Sequence, residues 1–416
     1  MCSEIAVVGG GTAGLLTVMF LRENFNNTKI NWYKGTDSGI GVGEGTTSEP
    51  YSFLKSIGID ENILVNEING TLKYGIQFNN WTSPGSSFFH PFGDSLHEKN
   101  FINFCKRQNI INTSLLSCQI AAHFKYEDLH RYAINNIIKK CNYINLISVE
   151  KTFDSLKEAL IIDCTGFEKS IISRVENNFI NYDYKLPNNR AVLYRHNTQN
   201  HIPYTLSTAA DNGWFWTIPL KDEVGFGHVY SDKFHYDNSE FLIFLQKFLG
   251  TEDIDRNRFR ELSFLSGRNK KHLVAIDNKI VCSIGLSSCF IEPLEATGIS
   301  LAFDALLLLK QYIIGAISID EYNIQYNASF DAIADFIVMH YKYNKNNNEY
   351  WSFYKTIKTD REQYDQIEKD LAWEWVESCL INTDNKKHHE IPVSYLRGAS
   401  KSEKYNKWYK SITRTA

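Results

Sequence analysis

The period of the apolar positions changes several times along this chain, and each change marks a different kind of element. Residues 5–8 form a short apolar run; glycines follow, then residues 15–21 at helical spacing, then Ile30-Asn31-Trp32-Tyr33 as a second apolar run. Strand, glycine loop, helix, strand is the order in which a nucleotide-binding α/β unit begins. Residues 50–68 and 101–140 read as mostly helical. Between them Leu72, Tyr74, Ile76 and Phe78 alternate with other positions, which predicts a strand carrying Lys73 on its other face. Residues 159–163 predict a further strand, 190–235 several antiparallel strands, 279–286 a last strand, and 299–314 a long apolar helix. From about 315 the pattern is helical, with Asn-rich breaks near 344–348 and 382–385 and no internal repeat.

Composition narrows the setting. A chain of 416 residues can bury a large core in two or three structural units. Aromatics reach 14%, which predicts a bulky core and also suits a pocket for a flat aromatic guest. A net charge of −4 gives no general attraction to nucleic acid, and the short basic tail at 401–414 reads as a solvated terminal helix. The eight cysteines contain no C-x-x-C pair, so they read as reduced thiols. The 12 histidines form no metal-ligand spacing, and His388-His389 reads as a solvated loop, so no metal site is expected. No run approaches the roughly 18 apolar residues of a membrane span. The first residues read as a strand rather than a signal peptide, so the expected setting is cytoplasmic.

Five segments carry chemistry. Gly9, Gly11 and Gly14, with Thr12 and Ala13 between them, fit the fingerprint that brings a pyrophosphate against a helix N-terminus. The second strand, however, ends on Lys34, where an acid usually holds the ribose. A glycine-rich loop follows, Gly41-Val42-Gly43-Glu44-Gly45-Thr46, and later come Asp163-Cys164-Thr165-Gly166-Phe167, Gly213-Trp214-Phe215-Trp216-Thr217-Ile218-Pro219 and Phe290-Ile291-Glu292-Pro293-Leu294-Glu295-Ala296-Thr297-Gly298. Taken singly, most have plain readings. The glycine hexapeptide reads as a turn, Lys73 as a surface lysine on an edge strand, and Glu292 and Glu295 as acids at a helix start.

Together and in this order, over most of residues 3–345, these segments resemble the flavin-dependent halogenases of the tryptophan-halogenase type. The resemblance implies an α/β fold. This is a Rossmann-like FAD-binding domain of the flavin monooxygenase (p-hydroxybenzoate hydroxylase-like, PHBH-like) superfamily, with mixed sheets and a mostly helical C-terminal substrate-binding part. It divides the chain into a core at 1–314, with a substrate-facing insertion at about 50–140, and a helical cap at 315–416. Flavin contacts are implied for Gly9, Gly11, Thr12, Ala13, Gly14, Gly43, Glu44, Gly45, Thr165, Gly166, Leu286 and Ile299, and halide contacts for Thr297 and Gly298. Trp214, Trp216, Ile218 and Pro219 become a wall between flavin and substrate. Lys73, ahead of Asn80-Trp81, becomes the residue that receives hypohalous acid, and Glu295 the base that accepts the ring proton. His90, Pro91 and Phe92 become ring contacts. Tyr350 and Trp351, with residues 335–341, become remnants of an abbreviated cap.

A single glycine fingerprint implies that FAD arrives reduced from a separate NAD(P)H flavin reductase. The expected substrate is an electron-rich aromatic, an indole, a phenol or a relative, and not strictly free tryptophan. A chloride, bromide or iodide ion is the expected co-reactant. The family commonly has Ser where Ala296 stands, so the hydrogen bonding there is rewired. A flavin aromatic hydroxylase, a silent flavin-binding homologue and a homo-oligomeric state all stay open.

Overall fold

The computed structural model describes residues 4–35, 43–81, 85, 87–91, 120–141, 143–147, 152–198, 202–234, 239–342, 344 and 346–358. Phe92, the Asn-rich break at 382–385, His388-His389 and the basic tail lie outside the described residues. The strands Glu4–Val8 and Lys29–Tyr33 pair in parallel, as the alternation of apolar run, glycines and helix predicts. Ile144–Ile147 extends their sheet on one side, and Leu160–Asp163 and Lys279–Ser283 extend it on the other. Leu273–Ile276 closes the sheet as an antiparallel edge. The helix Thr12–Asn24 is buried on nearly every side, from Gly14 to Leu21 without interruption. It lies against this sheet and against the helix Thr297–Ile313, so its lack of a polar stripe reflects two apolar neighbours.

A second sheet of seven strands is mixed and carries the Trp-Phe-Trp segment near its middle. Gly213–Pro219 pairs with Thr205–Ala210 on one side and Val224–Tyr230 on the other. On one face Phe215 and Phe226 pack against the helix Ser239–Leu249. The register puts Trp214 and Trp216 on the opposite face, beside Ala209, Ser207 and Phe78.

Two sequence expectations need correction. Residues 121–124 lie within the stretch read as helical, yet Ala121–Phe124 is a strand, paired antiparallel with Glu44–Gly45 and Thr71–Lys73. Pairing on both sides overrides the helical preference of its alanines. The second correction concerns the alternating stretch around Lys73. It is two strands, Thr71–Lys73 and Gly75–Asn79, which belong to different sheets. The chain changes sheet at Tyr74, whose N–H donates to the Pro203 carbonyl at 2.9 Å. Lys73 therefore faces inward and is fully buried, while Leu72 is only half-buried.

The C-terminal helices Ile319–Lys342 and Glu349–Lys355 share one hydrophobic core with the nucleotide-type sheet. Among the described residues no helix is long and apolar enough to cross a membrane.

Candidate functional site

The glycine loop is shaped by close backbone approaches. A side chain on Gly14 would begin 2.1 Å from the Gly9 carbonyl oxygen, and one on Gly9, where φ is +119°, would strike the Cys164 carbonyl at 2.2 Å. Those contacts press the Cys164–Gly166 loop against the glycine loop. Asp163 orders that loop: Oδ1 accepts from the Thr165 N–H and hydroxyl, and Oδ2 from the N–H groups of Ile171 and Ile172. The turn carrying Leu286 arrives from a third side, since a Cβ on Gly285 would meet the Ala13 methyl at 2.6 Å. Gly11 caps the Thr12–Asn24 helix with no side-chain hydrogen bond, and open space lies beside its Cα. A helix N-terminus left open beside crowded glycines fits a pyrophosphate, so these residues fit an FAD nucleotide.

One short segment links this loop to Lys73. The Thr12 hydroxyl donates to Glu44 Oε1 at 2.6 Å, and burial pushes the Glu44 carboxyl up to about 7 against that bond. The next residue, Gly45, lies under the lysine: a Cβ there would begin 3.3 Å from Lys73 Nζ, 3.3 Å from the His123 ring and 3.7 Å from the Ala296 methyl. Gly43 approaches the end of the strand Gly213–Pro219 instead, with Ile218 and Leu220 about its Cα.

Lys73 Nζ donates to the Thr46 carbonyl at 3.2 Å. Burial lowers its pKa to about 7, partly countered by the charge of Glu295. His123 stands beside it, absent from the sequence expectations because its Ala-Ala-His-Phe setting reads as helix. The Thr71 hydroxyl gives its one proton to the Pro219 carbonyl at 2.7 Å, so it accepts from His123 Nδ1 at 3.2 Å. His123 Nε2 therefore accepts from Thr205 at 2.8 Å. Burial and the Lys73 charge hold this imidazole well below its ordinary pKa, so it stays neutral.

Glu295 is buried with its Oε1 2.7 Å from His340 Nε2. Ala296, next in line, adopts a left-handed conformation at φ +56° and starts the helix Thr297–Ile313 without a side-chain cap. Thr297 is buried, its hydroxyl has no hydrogen-bond partner among the described residues, and open space lies beside Gly298. Ile299 is half-buried one residue further along the same helix.

Trp214 and Trp216 are both buried, with ring centroids 6.0 Å apart. The Trp214 indole donates to Glu292 Oε2 at 3.4 Å. Trp216 lies across Gly227, where a Cβ would sit 2.0 Å from its ring. Pro219, at the end of the strand Gly213–Pro219, carries the carbonyl that Thr71 engages. His90 and Pro91 fall on the strand Ser87–Pro91, with His90 paired to Ile76. Tyr350 and Trp351 lie in an aromatic cluster with Trp81 and Tyr341. The Tyr350 hydroxyl goes to Asn188 at 3.0 Å and the Trp351 indole N–H to the Ala210 carbonyl at 2.9 Å.

The family model for tryptophan halogenase matches residues 4–135 and 136–374. This chain belongs to the tryptophan halogenase family. The family consists of flavin-dependent halogenases, oxidoreductases that use FAD and halide and act on aromatic substrates with a separate flavin reductase. Tryptophan 6-halogenase ThaL of Streptomyces albogriseolus is 28% identical over 88% of this chain and 81% of its own length. Tryptophan 7-halogenase RebH of Lentzea aerocolonigenes is 26% identical over 85% of this chain and 79% of its own. Among solved structures, tryptophan 6-halogenase SttH of Streptomyces toxytricini matches with a TM-score of 0.73 at 26% identity, covering 89% of this chain and 84% of that one.

Proposed function

We propose that this protein halogenates an electron-rich aromatic, an indole, a phenol or a relative, and is not confined to free tryptophan. Bound reduced FAD supplies, with O2, the oxidising power that turns halide into hypohalous acid. The glycine loop, the Cys164–Gly166 loop, Leu286 and Ile299 hold that cofactor, and Thr297 with Gly298 hold the halide at the start of their helix. Trp214, Trp216, Ile218 and Pro219 form the barrier that keeps the aromatic from the cofactor. A passage along the barrier brings hypohalous acid to Lys73, whose nitrogen directs the halogen to the ring. His90, Pro91 and Phe92 hold the ring flat. As the ring C–H bond breaks, its electron pair restores aromaticity and its proton passes to Glu295.

One observation carries this reading. A wholly buried lysine lies against Gly45, and the preceding Glu44 is hydrogen-bonded to Thr12 at the nucleotide-type loop. A lysine on an edge strand has no reason to be desolvated there. A substrate other than free tryptophan is supported by Tyr350 and Trp351, whose polar atoms are engaged by Asn188 and Ala210.

The test is mass spectrometry of indoles and phenols incubated with the protein, FAD, a reductase, NADH and O2, with chloride, bromide or iodide in parallel arms. Halogenated product that needs halide and falls at least about 10²-fold in Lys73→Ala is expected. Oxygenated product formed without halide would show a hydroxylase instead. Halogenation undiminished in Lys73→Ala would remove the lysine from the mechanism.

A further inference from the structure

The helix Ile319–Lys342 brings one histidine back to the site from its last turn. His340 Nδ1 lies 2.9 Å from the Phe336 carbonyl oxygen, one turn earlier. A carbonyl can only accept, so Nδ1 carries a proton. The ring is clamped on its remaining sides. Phe78 stacks on it at 5.2 Å and 29°, while Trp81 and Phe336 meet it edge-on at 86° and 88°. This clamp holds Nε2 2.7 Å from Glu295 Oε1, and the two side chains are only 3% and 4% exposed.

Two bare lone pairs at that separation would repel. With the Nδ1 proton already assigned, a contact this short is favourable when the pair carries a second proton. The pair is either imidazolium with carboxylate or imidazole with carboxylic acid, and in both cases Oε1 is committed to His340. Lys73 also acts on Glu295 through its charge, but a carboxylate this deeply buried with no cation or donor in contact would take up a proton and cease to be a base.

We propose that His340 is the positioning residue of Glu295, fixing its orientation and compensating its charge so that it enters the reaction as a base. The proposal rests on the role given to Glu295 above. When the ring C–H bond breaks, the proton arrives on the Glu295 oxygen turned away from His340. The shared proton stays with the imidazole. The positive charge leaves the ring and appears on the Glu295–His340 pair, so the pocket's net charge does not change in the step.

Two measurements test it. The first is steady-state bromination of indole by the full chain with FAD and a reductase. His340→Ala is expected to lower kcat roughly tenfold or more, up to the ~10²–10⁴-fold that general-base catalysis contributes, with KM for indole little changed. Added imidazole should restore part of the lost rate, and His340→Gln, which can donate a hydrogen bond but not carry the charge, should remain slow. The second needs neither turnover nor a folded His340 variant. In protein carrying nitrogen-15 histidine, His340 should show a protonated Nδ1 and a hydrogen-bonded Nε2, and the Nε2 resonance should move the more strongly of the two in Glu295→Gln. A wild-type kcat in His340→Ala, or an Nε2 resonance indifferent to Glu295→Gln, would overturn the proposal. Absence of bromination by the wild type would count against the proposed activity, while the resonance would still decide whether the pair exists.

Discussion

A lysine ammonium taken wholly out of water loses its hydration, and Lys73 responds with a pKa lowered to about 7 even with Glu295 nearby. The stability consequence has a definite sign. An unfolded lysine keeps its proton up to 10.5, so between pH 7 and 10.5 the unfolded chain binds more protons than the folded one. Stability from this site therefore rises with pH across that window, and the cost of burying the charge is fully present below pH 7. Lys73→Met should raise Tm more at pH 6 than at pH 10, as thermal melts at the two pH values would show. A gain equal at both would mean that the charge carries no such cost. Residue types and spacing made Lys73 and Glu295 visible as candidates. His123 and His340 were invisible as partners because each arrives from an element distant in sequence, on Ala121–Phe124 and Ile319–Lys342.

At the scale of elements, the Trp214–Trp216 pair depends on a glycine in the neighbouring strand. Val224–Tyr230 presents Gly227 directly opposite Trp216, and the indole occupies the space a side chain would fill. Gly227→Ala should force the ring away, at a cost of about 1–3 kcal/mol for an overpacked core position. Chemical denaturation measures the loss, and tryptophan fluorescence reports the displaced indole. A variant with unchanged stability and emission would show that the ring does not need the slot. The Trp-x-Trp pair is plain in the sequence, but Gly227 reads there as one more strand glycine. Only the cross-strand register gives it a role.

At the scale of the whole molecule, Glu292 ties three parts together. Its Oε2 accepts from Trp214 of the strand Gly213–Pro219, from Asn188 at 2.7 Å, and from Tyr341 of the long C-terminal helix at 2.6 Å, while Oε1 has no partner among the described residues. Burial pushes this carboxyl up to about 7 despite the three donors. From the ordinary 4.5 to 7 the folded chain binds more protons than the unfolded one, so stability falls as pH rises through that window and the penalty is complete above it. Glu292→Gln keeps an acceptor for all three donors and removes the charge. Its Tm advantage over the wild type should grow between pH 5 and pH 8, and an advantage that shrinks would refute the assignment. Two ion pairs hold the same helix to the core, Lys185 with Asp335 at 2.9 Å and Arg268 with Asp331 at 3.0 Å. None of these pairings is legible from spacing, since each joins residues some 50 to 150 positions apart.

The sequence alone determined what depends on neighbours along the chain. The nucleotide-type unit follows from apolar runs set around glycines, the antiparallel region from short alternating strands, and the helical end from its period. Motif order was sufficient to indicate the family. Tertiary structure alone decided which way Lys73 faces, because a change of sheet at Tyr74 is written in the partners of two strands and not in their own residues. It likewise decided the electrostatics of the site. Desolvation and charge act through space, so the pairing of Glu295 with His340 and the lowered pKa of Lys73 exist only once distant segments share one dry interior.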